Sequence, residues 1–165
     1  MYKKAGLAIV LWLSAALALA SDPELRIGEL SVLDRQYMQQ QRQSLRELGQ
    51  RHLGRGFSGD RDRDLGLMQT LLDRGLVRND QKQELQAMGV VLGDLLAAEL
   101  DMHWVVYEDR IGRSRALRYR DTDIYLFPVT MISRRREADN DTPVSAIYDS
   151  ARGTVERLRP DQPYR

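Results

Sequence analysis

The sequence predicts an α+β fold: a small antiparallel three-stranded meander packed with about four to five helices, in the order α-α-α-β-β-β-α-α. Three observations predict it. Leu85, Met88, Leu92, Leu95, Leu96 and Leu100 share one broad helical face, and Val90, Val91, Ala97 and Ala98 carry apolar surface further round, as in a buried helix. His103-Trp104-Val105-Val106-Tyr107 follows at once, β-branched and aromatic and therefore strand-forming. Two more strand-like runs come after connections too short for a crossover, which puts the second strand in the middle of an antiparallel meander.

In chain order, residues 1–20 have the pattern of a cleavable secretory signal peptide. Lys3 and Lys4 give a positive start, Ala5 to Leu17 an apolar core, and Ala18-Leu19-Ala20 a small-x-small site with cleavage expected after Ala20. The apolar run is shorter than the roughly 20 residues of a spanning helix. The expectation is therefore export to the periplasm with no stable membrane span after cleavage. The chain has 25 Lys+Arg against 24 Asp+Glu; without Lys3 and Lys4 the count is 23 to 24, about −1. Net charge thus argues for no nucleic-acid partner. With no cysteine, thiol catalysis, Cys-ligated zinc and disulfides are excluded. One α+β domain is expected over 21–158, with 159–165 a flexible tail.

Residues 21–29 form a short polar leader into the fold. Ser31 and Asp34 make a variant capping box, and Leu30, Leu33, Tyr37, Leu45, Leu48 and Leu53 give an amphipathic first helix to about Leu53. Gly54 to Gly59 breaks it. Asp60, Asp62 and Asp64 alternate like the first half of a calcium loop, but Leu65 and Leu71 stand where the turn glycine and bidentate glutamate belong. Acids complementing a helix dipole explain them better. Leu65, Met68, Leu71, Leu72 and Leu76 form the second helix, stopped near Gly75. The third runs from Gln81 to Leu100, capped by Asn79 or Asp80. Gly89 and Gly93 weaken it by roughly 1 kcal/mol each in isolation, which points to a packing purpose.

The first strand is His103 to Tyr107, followed by a turn from Glu108 to Arg113 in which Gly112 can take a positive φ. The second is Ser114 to Arg120: Arg115, Leu117 and Tyr119 share one face, and Ala116, Arg118 and Arg120 face water. The third is Ile124 to Val129, with Pro128 suited to an edge or terminal position. Thr130 to Ala138 is a short helix or helical turn carrying Arg134, Arg135 and Arg136. Thr142-Pro143 starts the last helix, with a capping hydroxyl and an apolar stripe of Val144, Ile147, Tyr148, Ala151, Val155 and Leu158.

Three groups of residues carry a family resemblance: Met88-Gly89-Val90-Val91-Leu92-Gly93; Trp104-Val105-Val106 with Glu108-Asp109 and Gly112; and Phe127-Pro128-Val129-Thr130-Met131-Ile132-Ser133 with Arg134 and Glu137. On these, the segment from about Leu85 to Tyr148 resembles the bacterial domain-of-unknown-function family 3806. The resemblance implies a fold and no activity.

The chemistry open to the chain is limited. His52 and His103 are the only histidines and have no zinc-ligand spacing. A triad of Ser133, His103 and Asp109 lacks any supporting G-x-S-x-G or oxyanion loop. Gly54, Gly56 and Gly59 have dinucleotide-fingerprint spacing but follow a helix instead of a strand. No catalytic residue, metal or cofactor is expected. The one candidate ligand-binding constellation is Trp104, Glu108, Asp109, Arg134, Arg135 and Glu137, set against turn acids, a solvated basic face and a core tryptophan. The leading function is an exported non-enzymatic module binding another envelope protein or component. The alternative is a small-molecule or anion-binding domain using the Arg134–Arg136 turn. Oligomeric state is not readable.

Overall fold

The computed structural model describes residues 25–159. In chain order it contains β1 (Arg26–Glu29), α1 (Val32–Leu53), α2 (Arg61–Asp73), α3 (Lys82–Leu100), β2 (Met102–Asp109), β3 (Gly112–Tyr119), β4 (Tyr125–Leu126), a 3₁₀ turn (Pro128–Thr130), α4 (Ser133–Glu137) and α5 (Val144–Leu158). The predicted α+β class, its five helices and the meander are all present. The expected signal peptide and the last six residues of the expected tail lie outside the described residues.

The sheet has four antiparallel strands in the order β1-β2-β3-β4. The added strand is β1, where a polar leader was expected. Its Ile27 and Gly28 lie opposite Tyr107 and Val106. A four-residue edge strand with only one apolar residue has no alternation for a sequence reading to find. At the other edge β4 has two residues, not the six expected from Ile124 to Val129.

Helix α3 is buried nearly all round because its sequence leaves it almost no polar face. Leu85, Met88, Leu92 and Leu96 have no exposed surface, and α1, α2, α5 and the sheet pack around them. Its caps differ from expectation. Gln81 is the N-cap without a side-chain cap bond, and its amide oxygen accepts from Arg78 N–H instead. Helix α1 starts with the predicted box: Ser31 Oγ accepts from Asp34 N–H at 3.1 Å, and Asp34 Oδ2 from Ser31 N–H at 3.0 Å. Its inward stripe is Asp34, Met38, Gln41, Leu45 and Gly49, so Leu33, expected on that stripe, is 75% exposed. In α5, Thr142 Oγ1 bonds to Asn140 instead of capping the helix, and Leu158 is exposed. The fully buried Tyr148 donates to Glu99 Oε2 at 2.6 Å and ties α5 to α3.

The aspartates of the calcium-like run diverge. Asp60 caps α2 by accepting from Arg63 N–H, and Asp62 pairs with Arg61. Asp64 turns back to accept from the N–H groups of Ser58 and Gly59. Among the described residues, no group of three or more His, Cys, Asp or Glu is arranged to hold a metal ion, and no helix is long and apolar enough to cross a membrane.

Candidate functional site

The site originates in a sheet edge that opens halfway along β3. Leu117 lies opposite Leu126, and Tyr119 N–H donates to Ile124 O at 3.0 Å. Continuing that register would set Arg115 against Pro128, which has no N–H to give, so the ladder stops. The chain then turns away from β3 and settles on α3. A Cβ built on Gly89 would stand 2.5 Å from the carbonyl oxygens of both Pro128 and Val129. One built on Gly93 would stand 2.4 Å from Trp104 Cζ2 and 3.0 Å from Pro128 Cβ. The two glycines are a groove holding the 3₁₀ turn and the tryptophan, which is the packing purpose the sequence implied.

Pulling that turn onto α3 leaves a cavity of about 480 Å³ between the first half of β3 and the segment from Phe127 to Arg134. Tyr107, Phe127, Val129 and Thr130 line it with Tyr37 and Gln86, and the hairpin from Asp109 to Arg115 closes the rest. Tyr107 meets Phe127 edge-on at 5.2 Å and Tyr125 edge-on at 5.1 Å. Burial pushes the Tyr125 hydroxyl above its usual range, so it stays neutral.

Electrostatics in the cavity centre on Asp34, buried at the start of α1. Arg113 reaches it through two hydrogen bonds, 3.0 Å to Oδ1 and 2.5 Å to Oδ2, and Arg115 lies 3.0 Å from Oδ1. The Arg113 guanidinium holds this carboxyl well below the usual carboxylate range against the opposing effect of burial, with Ser31 assisting. Arg115 also stacks over the Tyr37 ring at 4.0 Å, a favourable cation–π arrangement. Asp109 closes its turn by accepting from Ile111 N–H at 2.8 Å and Gly112 N–H at 3.1 Å. Arg134 lines the cavity exposed, with no ion pair among the described residues.

Of the six residues singled out from sequence, only Asp109 and Arg134 line this cavity. Trp104 packs on Gly93 and donates to Asp94 Oδ1 at 3.0 Å, the carboxylate that also takes a two-pronged bond from Arg42. Glu108 sits opposite Arg113 on β2. Arg135 donates to Met131 O at 2.7 Å, and Glu137 faces Lys82. Arg136 is buried and paired with Asp141, so the three arginines disperse instead of converging on one anion. His103 is exposed, while Ser133 is buried with no hydrogen-bond partner for its hydroxyl among the described residues. The face of β3 expected to meet water is half covered, since Ala116 is fully buried. Asp34, Tyr37, Arg113, Arg115, Tyr107 and Phe127 escaped the site prediction. The alternation of Arg113 and Arg115 on one face of β3 was the available signal for two of them.

Residues 64–148 match the family described as Domain of unknown function (DUF3806). That span holds the β3 edge, the cavity's aromatic wall and Arg134, but not Asp34 or Tyr37. The fold is similar to that in a crystal structure from Bacteroides thetaiotaomicron VPI-5482, with a TM-score of 0.70 and 18% identity over 79% of this chain and 48% of that one. This chain spans about half the length of that protein, and at such identity the likeness is one of fold. No curated protein matches the chain.

Proposed function

The chain belongs to the DUF3806 family, to which no activity is attached, and from that premise we propose that it is a non-enzymatic binding module that holds a segment of another protein in the cavity beside β3. The observation that carries this reading is the coincidence of two features. Among the described residues the β3 edge from Gly112 to Arg115 has no strand partner on the β4 side, and it lies directly on a cavity of about 480 Å³ with aromatic and cationic walls. Such a volume is ordinary for ligand sites, and bare strand edges are places where partners pair. The lining itself favours binding over catalysis. It has no histidine, and its one carboxylate, Asp109, is engaged by turn N–H groups.

We place the module outside the cytoplasm, supported by Lys3 and Lys4, the apolar run and the Ala18-Leu19-Ala20 site. N-terminal sequencing should find Ser21 first; Met1 on the purified protein contradicts export by cleavage. Binding is tested by inserting a photo-crosslinking amino acid in place of Phe127, which is 38% exposed on the cavity wall. The expected result is a covalent adduct with a cellular protein that disappears when Ser114→Trp fills the cavity. An adduct equally strong from the exposed Asp149 of α5 contradicts the proposal.

A second reading, a small anion in the same cavity, is favoured by Arg134, which has no ion pair among the described residues. Phosphate, sulfate and citrate at matched ionic strength should then raise the wild-type thermal midpoint by mass action, and that of Arg134→Ala much less. Equal shifts in both proteins contradict it.

A further inference from the structure

We infer that the occupant of the cavity is an extended peptide strand that adds to β3 in the lane β4 vacates, and that it carries one carboxylate facing Arg134; this rests on the binding-module reading above. The first half of the inference comes from the ladder. The main chain of Tyr119 faces β4, since its N–H donates to Ile124 O. Strand alternation then turns the N–H and C=O groups of Leu117, Arg115 and Arg113 the same way. Leu117 is paired with Leu126, but Arg115 and Arg113 have no strand partner on that side among the described residues. Their outward N–H and C=O groups border the cavity and suit a guest main chain in the position that Pro128 cannot fill.

The second half comes from charge. Of the guanidiniums that line the cavity, Arg113 and Arg115 are held by Asp34, and Glu108 stands across the ladder from Arg113. Among the described residues this leaves one cation on the cavity wall without an ion pair, which calls for one carboxylate on the guest. Arg134 is the cation left to receive it, and a guanidinium suits two-pronged carboxylate recognition.

A linear random-peptide library displayed on phage and selected on the purified full chain tests this. Ser114→Trp, verified as folded by circular dichroism and thermal midpoint, serves as the filled-cavity control. The expected result is enrichment of peptides with Asp or Glu on wild type and not on Ser114→Trp. N-methylation of a selected peptide at alternate residues, those whose N–H faces β3, should weaken binding by about tenfold, as expected for one lost main-chain bond. Methylation of the residues between should not. Changing the peptide's acid to its amide should weaken binding to wild type and leave Arg134→Gln indifferent. Peptides whose binding tolerates N-methylation at every position overturn strand addition and leave the binding module standing. Binding insensitive to both the amide change and Arg134→Gln overturns the carboxylate. No enrichment over Ser114→Trp overturns the inference together with the reading beneath it.

Discussion

Adding one methyl group to α3 should destabilise this protein, although the same change elsewhere should stabilise it. In Gly89→Ala the new Cβ meets two main-chain carbonyl oxygens at 2.5 Å, and main chain cannot rotate aside as a side chain does. The helix itself gains roughly 1 kcal/mol from replacing glycine by alanine. Overpacking against a fixed neighbour costs about 1–3 kcal/mol. Gly66 is the control: it is exposed within α2 and nothing lies within 4 Å of its Cβ position. Gly66→Ala carries the helix gain alone, so the difference between the two variants isolates the contact, about 1–3 kcal/mol. For a chain of this size that is a gap of roughly 2–12 °C in thermal midpoint, Gly66→Ala melting above wild type and Gly89→Ala at or below it. The assay is circular-dichroism melting of the three proteins side by side. Equal stabilisation by both substitutions would falsify the claim that the 3₁₀ turn is seated on Gly89.

Trp104→Ala should cost about 3 kcal/mol, the low end for aromatic truncation because the ring is only partly buried; an unchanged urea midpoint would mean that the ring contributes no core packing. Asp34→Asn, which keeps the shape but removes the charge from two guanidiniums, should cost about 1–3 kcal/mol. Because the Asp34 pKa is lowered on folding, its contribution is complete above the unfolded-chain value of about 3.9 and is lost as pH falls through the lower folded value. Stability measured from pH 6 down to pH 2 should therefore fall less steeply in Asp34→Asn than in wild type, and parallel profiles would count against the linkage.

What was legible in the sequence followed periodicity. The apolar circumference of α3, the strands either side of the Gly112 hairpin and the Ser31–Asp34 box each depend on residues close in sequence, so local spacing exposes them. Gly89 and Gly93 were readable as packing positions for the same reason, since glycine in a helix interior needs a cause. Their partners were not, because the groove is filled by a turn about forty residues away. The end of β4 was misplaced because Pro128 is compatible with an edge strand; only the register with Arg115 makes its missing N–H decisive. Only a small part of the site was legible. Arg134 and Asp109 flank the strands and turns that the sequence exposes, whereas Tyr37 reaches the cavity from α1 and Asp34 of the same helix holds Arg113 and Arg115, and no spacing rule connects either to β3.

The open edge of β3 is the claim on which the site depends, and amide hydrogen exchange in the free protein measures it residue by residue. The N–H groups of Leu117 and Tyr119, paired toward β4, should exchange slowly, as should those of Ala116 and Arg118, which face β2. Those of Arg115 and Arg113, turned outward past the point where Pro128 ends the ladder, should exchange many times faster. Protection of Arg115 and Arg113 equal to that of Leu117 would mean that the edge is already closed, and would contradict both the cavity's origin and its use as a docking site.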